Sequence, residues 1–134
     1  GVPAEEGGGA WVDRRPYRRA ARNLRARASL IAEAERYLIE VVNLGEPTWI
    51  LVGMRDLGDA FIHTYEELNN SPVPNRLNPE QSKIYRELMQ ERSQSVLAKG
   101  WKAYDQGLDI AGRFGLQNSR VGLELQSRRN AIPF

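Results

Sequence analysis

Residues 41–61 read VVNLGEPTWILVGMRDLGDAF, and the middle of that stretch closes one helix and opens another. Gly45 supplies the left-handed residue that caps a helix C-terminus, and Pro47 cannot continue the helix before it but suits the first turn of the next. Upstream, Leu24, Ala28, Ile31, Ala34, Leu38, Val41 and Val42 recur at three, four and seven, the stripe of an amphipathic helix. That helix is predicted from Asp13 or Arg14 to about Leu44, with Pro16 tolerated in its first turn, where its missing N–H would be unpaired anyway. Downstream, Ile50, Leu51, Met54, Leu57, Gly58, Phe61, Tyr65 and Leu68 form a second stripe that closes at Asn69-Asn70-Ser71-Pro72. So short a turn between two helices predicts an antiparallel hairpin.

Residues 69–77, NNSPVPNRL, carry two prolines and no periodicity and read as a connection over the surface. Asn78, Pro79 and Gln81 then combine a cap, a first-turn proline and a capping-box partner. The third helix meets no further proline before Gly115 and is predicted from Pro79 to Phe114. Its stripe changes phase: Ile84, Tyr85, Leu88 and Met89 precede a polar gap, ERSQS, and Leu97, Trp101, Tyr104, Leu108 and Ala111 follow it. A bend near residues 92–96 would reconcile the two halves. Asn118 or Ser119 caps a short fourth helix whose apolar content is Val121, Leu123 and Leu125, with Arg128 and Arg129 at the negative end of its dipole. Thr occurs only twice, and nothing alternates with the period of a strand. The predicted class is all-α, built from antiparallel helical hairpins: a Gly-rich arm over residues 1–13 and one helical domain over 14–134. Trp11 and Val12 are the arm's apolar residues, able to dock on the body or stay in solvent.

Leu, Ile, Val and Phe make up 32 of the 134 residues, enough to bury a core. A net charge of +2 gives no global preference for a polyanion. With no Cys there is no disulfide, thiol nucleophile or thiolate-bound zinc, and His63 is the single histidine, which removes most metal and acid–base designs. No apolar run approaches the roughly 20 residues of a membrane span, and the opening residues lack a signal-peptide core. The chain starts on Gly1 without Met, as a piece of a longer protein would.

Met54-Arg55-Asp56-Leu57-Gly58-Asp59-Ala60-Phe61 resembles the first helix of a tetratricopeptide repeat, and Gly100, Tyr104, Gly107, Leu108 and Ala111 match the spacing of the repeat's second helix. The aromatic of that second helix falls about 30 residues later than the standard repeat of roughly 34 residues allows. The excess comprises the PVP loop and the first half of the third helix. The longer run Ala34-Glu-Arg-Tyr37, Gly45-Glu-Pro-Thr-Trp49, Leu57-Gly-Asp59, Ser71-Pro-Val-Pro74, Tyr85-Arg86, Lys102-Ala-Tyr104 and Phe114-Gly-Leu-Gln-Asn118 resembles the terminal segment of large bacterial tetratricopeptide repeat proteins over residues 28–134. The resemblance implies a repeat with an insertion between its two helices, in a non-catalytic scaffold of a cell-envelope complex, at the periplasm or outer membrane. Its partners would be other proteins or peptide segments, and it implies no cofactor.

In such repeats the outer face of the first helix lines a concave groove. That places Val52, Arg55, Asp59, Ile62, His63 and Glu66 as groove residues, although an ordinary wetted helix face reads the same way. Arg14, Arg15, Arg18, Arg19, Arg22 and Arg25 form a basic patch, with Arg18, Arg22 and Arg25 on one face and Tyr17 near enough to stack. Nucleic acid or an acidic partner is the alternative function it offers, against a solvated face in an Arg-preferring chain. Trp49, Trp101 and Tyr104 fall on apolar stripes and read as core. Asp59, His63 and Glu67 share a face, but about 12 Å separates the first from the last, too far for one ion. The carboxylate pairs Asp105/Asp109 and Glu87/Glu91 lack an apolar setting, so no enzyme is expected. Ala131-Ile132-Pro133-Phe134 is apolar and either completes the core or meets a partner.

Overall fold

The computed structural model describes residues 15–134, the side chains of Pro16 and Tyr17 excepted. The arm 1–13, with Trp11 and Val12, lies outside the described residues, as do Arg14 and the Tyr17 ring. Four helices make up the rest: α1 (Arg15–Leu44), α2 (Pro47–Asn69), α3 (Pro79–Arg113) and α4 (Arg120–Asn130). No described helix is long and apolar enough to cross a membrane.

Local chemistry sets the ends. Gly45, at φ 72°, donates to the carbonyls of Val41 and Val42 and closes α1, and the Glu46 carboxylate accepts from the Thr48 N–H to open α2. Asn78 and Gln81 bond reciprocally, side chain to backbone, at 2.8 and 3.1 Å. Gly115, at φ 67°, lets the Leu116 N–H reach back to the Ala111 carbonyl at 2.8 Å, and the Ser119 hydroxyl accepts from the Gly122 N–H.

The α2 helix is the centre. One face takes α1, where Gly53 lies under Leu38, and another takes α3, while α1 approaches neither α3 nor α4. The α2–α3 seam is made close by glycines on both sides. A Cβ on Gly58 would fall 2.2 Å from the Tyr104 ring, one on Gly100 2.8 Å from Ile62, and one on Gly107 3.2 Å from Met54, with Leu125 of α4 as near. Leu51, Tyr104, Ala111, Val121 and Leu125 form the buried cluster, with Val52, Ile62, Leu108, Ile110, Leu116 and Ile132 packed around it. Burying each of Leu51 and Leu125 contributes about 1.5–3 kcal/mol.

Two of these contacts fix the register. With Gly58 opposite Tyr104 and Ile62 opposite Gly100, antiparallel helices bring Asn69 level with Ser93. The first fourteen residues of α3 therefore run about 20 Å past the end of α2. On the other side Glu67 meets Asn23 and Arg27, so the start of α1 overhangs α2 as well.

Some expected core positions are exposed. Trp49, 52% exposed, stands two residues from Leu51, about 160° round a helix whose buried faces are set by α1 and α3. Leu123, also 52% exposed, sits between Val121 and Leu125, which point inward at i and i+4. Ala28 and Val42 leave the α1 stripe, which needs to cover only α2. Trp101 is half-buried, its ring edge-on to Phe134 at 6.2 Å. The C-terminal segment divides: Ile132 joins the packing around the core, and Phe134 stays 66% exposed. The helix over residues 92–96 is unbroken, and Ser93, from the polar gap, is buried. Its hydroxyl donates to the Gln90 carbonyl at 2.9 Å, which satisfies the buried polar group.

Candidate functional site

Two of the six groove residues on α2 are engaged by α4. The Arg55 guanidinium donates to Glu124 at 2.7 Å and to Asp56 at 3.1 Å. One oxygen of Asp59 accepts from the Tyr104 hydroxyl at 2.6 Å and from Arg128 at 2.9 Å. The constant offset of the pairs Arg55–Glu124 and Asp59–Arg128 shows that α4 runs parallel to α2, strapped to it one turn apart. Arg129 with Asp105 joins the other side of α4 to α3. Val52 and Ile62 belong to the apolar packing. His63 and Glu66 stay open, their side chains 54% and 59% exposed and 3.4 Å apart.

Charge follows this geometry. The hydrogen bond from Arg55 holds the Glu124 carboxyl below its ordinary value of 4.5. Burial works against the charge on Arg55, but the bonds to Glu124 and Asp56 outweigh it and raise its pKa. Burial, then the bond to Asp59, pushes the Tyr104 hydroxyl well above the ordinary tyrosine range, so it is a hydrogen-bond donor with no readiness to ionise. A buried donor tied to a carboxylate that is itself paired is the chemistry of a fastener.

The basic patch holds together along one helix. Arg15, Arg18, Arg19 and Arg22 line a shallow depression of about 250 Å³ on α1, and Arg25 is exposed farther along. Arg27 turns inward to Glu67. The possible metal trio is dispersed: Asp59 goes to α3 and α4, Glu67 to α1, and His63 to Glu66. Asp105 and Asp109 are each paired with an arginine, Arg129 and Arg113.

A more apolar concavity lies elsewhere. Between the overhanging ends of α1 and α3, with the end of α2 and the PVP loop as its floor, is a cleft of about 480 Å³. Leu24 and Ala21 of α1, Leu68 of α2, Pro72 and Pro74 of the loop, and Tyr85 and Met89 of α3 form its apolar walls. Arg18, Arg76 and Arg92 also line it, no acidic residue does, and none of the three arginines makes an ion pair among the described residues. Its volume lies in the range of small-molecule and peptide-anchor pockets. Such a cleft accepts an apolar side chain and, beside it, negative charge.

The sequence carried a partial signal for this cleft. A third helix of 35 residues against a second of 23 must overhang, and SPVPNRL must cross from one to the other. What the sequence did not show is that α1 overhangs at the same end and closes the second wall.

No protein-family model matches this chain, and no curated protein and no solved structure matches it.

Proposed function

We propose that the chain is a non-catalytic protein-binding module that holds a partner segment carrying apolar side chains and carboxylates. The observation that carries this reading is the cleft between α1, α2 and α3, apolar inside and bordered by three arginines that no acidic group of the described chain neutralises. Filling it removes apolar surface from water, and each carboxylate placed against an arginine adds up to about 1 kcal/mol at such an exposed site.

The architecture is read as an interrupted tetratricopeptide-type repeat, α2 and the second half of α3 being its two helices and α4 a capping helix. Supporting this are the glycine-mediated approach of Gly58 to Tyr104 and of Gly100 to Ile62, and the parallel placement of α4 on α2. In that frame the insertion is what builds the cleft. A scaffold role in an envelope complex rests on the family resemblance of residues 28–134 and goes with it. The outer face of α2 beyond α4, with His63 and Glu66, is the second place where such a scaffold would offer contact.

A direct test uses a fluorescent peptide of alternating Leu and Glu, its Lys-for-Glu counterpart and a single-stranded DNA of similar length. The acidic peptide should bind, the basic one should not, and Arg76→Gln with Arg92→Gln should weaken binding by about two- to fivefold per arginine. Equal binding of both peptides, or indifference to the two substitutions, would overturn the proposal. Tight DNA binding lost on replacing Arg18, Arg22 and Arg25 by Gln would put the nucleic-acid function in its place.

A further inference from the structure

The α1 helix carries a second surface, a quarter-turn or more round from the wall it gives the cleft at Ala20, Ala21 and Leu24. Arg15, Arg19, Arg22, Ala26, Leu30, Glu33, Tyr37, Glu40 and Leu44 follow one another at intervals of three and four, and every one of them is exposed. That is the spacing of a helix–helix seam. Leu30, Tyr37 and Leu44, at intervals of seven, are 46%, 39% and 76% exposed, on a helix whose backbone approaches only α2.

The charge on the helix is divided along its length. Between Arg15 and Arg27 α1 has six arginines and no acidic residue, whereas Glu33, Glu35 and Glu40 lie in its second half with Arg36. Arg19, Arg22, Glu33 and Glu40 make no ion pair within their own chain among the described residues. Reversed and laid on itself, the seam matches itself. Arg19 meets Glu40, Arg22 meets Tyr37, Ala26 meets Glu33 and the stem of Arg15 meets Leu44, with a two-fold axis beside Ser29 and Leu30. A parallel pair would instead set Arg on Arg and Glu on Glu, which is repulsive along its whole length.

We infer that α1 is a self-association surface and that its occupant is α1 of a second copy of this chain, antiparallel. The two copies are isologous, each giving its basic half to the acidic half of the other. Arg22 over Tyr37 adds a cation–π contact, and the Leu30 and Leu44 side chains leave water. The contact is about 44 Å long and roughly one helix wide, so from both copies it approaches the roughly 1,000 Å² at which specific interfaces begin. The dimer is therefore a concentration-dependent and salt-sensitive one. It leaves the Leu24 side of α1, and hence the cleft, open.

Sedimentation of the 134-residue chain at tens of micromolar tests the association, and a cysteine-free sequence lets single thiols report its geometry. A dimer is expected, its dissociation constant rising about tenfold or more between roughly 50 and 500 mM NaCl. Ser29→Cys, next to the axis, should oxidise to a covalent dimer, whereas two Ala26→Cys thiols would start about 10 Å apart along the helices, too far for a disulfide. Arg19→Glu with Arg22→Glu, or Glu33→Arg with Glu40→Arg, should each abolish the dimer, and all four together should restore it. Circular dichroism of each variant should match the parent, since every changed side chain is exposed. A monomer at all concentrations in low salt would overturn the inference, as would Ala26→Cys crosslinking as readily as Ser29→Cys. Failure of the fourfold exchange to restore the dimer would also refute the antiparallel pairing.

Discussion

Gly58→Ala is the smallest change that probes how α2 and α3 are held together. On an isolated helix it stabilises, since alanine is favoured over glycine by about 0.8–1.0 kcal/mol in a helix interior. In this seam the new methyl would stand 2.2, 2.5 and 2.8 Å from three atoms of the Tyr104 ring. Carbon atoms in contact settle at about 3.5–4.0 Å, so the ring or the helix must retreat by more than 1 Å. The ring has little freedom. Tyr104 is 2% exposed, and its hydroxyl is tied to Asp59 at 2.6 Å. Overpacking of this kind costs about 1–3 kcal/mol, and a contact with a fastened ring belongs at the upper end. Against the propensity gain, a net loss of about 1–2 kcal/mol follows, or roughly 3–8 °C in melting temperature for a domain of this size. The measurement is thermal and urea denaturation followed by circular dichroism. In a Tyr104→Ala background the same methyl should cost nothing, because the atoms it strikes are gone. A Gly58→Ala protein that melts at or above the parent would refute the close-approach reading, and Gly58→Leu should prevent folding outright.

Gly112→Ala provides the opposite case: nothing lies within 4 Å of its new methyl, so it should stabilise by about 0.5–1 kcal/mol in the same denaturation assay. Asp59→Ala leaves the Tyr104 hydroxyl without its partner and should cost about 1–3 kcal/mol. Arg128→Ala, which leaves that bond in place, should cost less than about 1 kcal/mol. Acid should loosen α4. Because the Glu124 pKa is depressed, its stabilising contribution is complete above the unfolded value of 4.5 and fades as pH falls through the lower folded value. Melts of the parent and Glu124→Gln should converge over that range. At the alkaline end Tyr104 has the opposite sign: its contribution to the fold is complete below the ordinary tyrosine range and is lost above it, where the ring ionises in the unfolded chain but not in the fold. Its absorbance change should therefore appear only with unfolding, after the other tyrosines have ionised.

What could be read from the sequence was what local chemistry decides. Gly45 with Pro47, Asn78 with Pro79 and Gln81, and Gly115 followed by Ser119 each determine a helix end through bonds to residues no more than a few positions away, and each lies where it was expected. Faces were harder. Trp49 and Leu123 are apolar, yet which side of a helix is buried depends on where its neighbours lie, and α2 has neighbours on two sides. Ser93 shows the converse, a polar residue buried at the level where α2 ends, its hydroxyl satisfied by the Gln90 carbonyl. Arg55 and Asp59 were legible as polar residues on one face of α2, but their attachment to Glu124 and Arg128 depends on a helix that begins sixty-five residues after Arg55. The cleft depends on two overhangs at once, and an overhang is a matter of register, which no single helix encodes.

The account's central claim is that the cleft receives an apolar, acidic protein segment, and amide chemical shifts during titration with the Leu–Glu peptide test it most directly. The account predicts saturable shifts in three separated stretches, residues 18–24, 68–76 and 85–92, with His63 and Glu66 unmoved. Shifts concentrated at His63 and Glu66, or no saturable shifts in the loop and the start of α3, would contradict it.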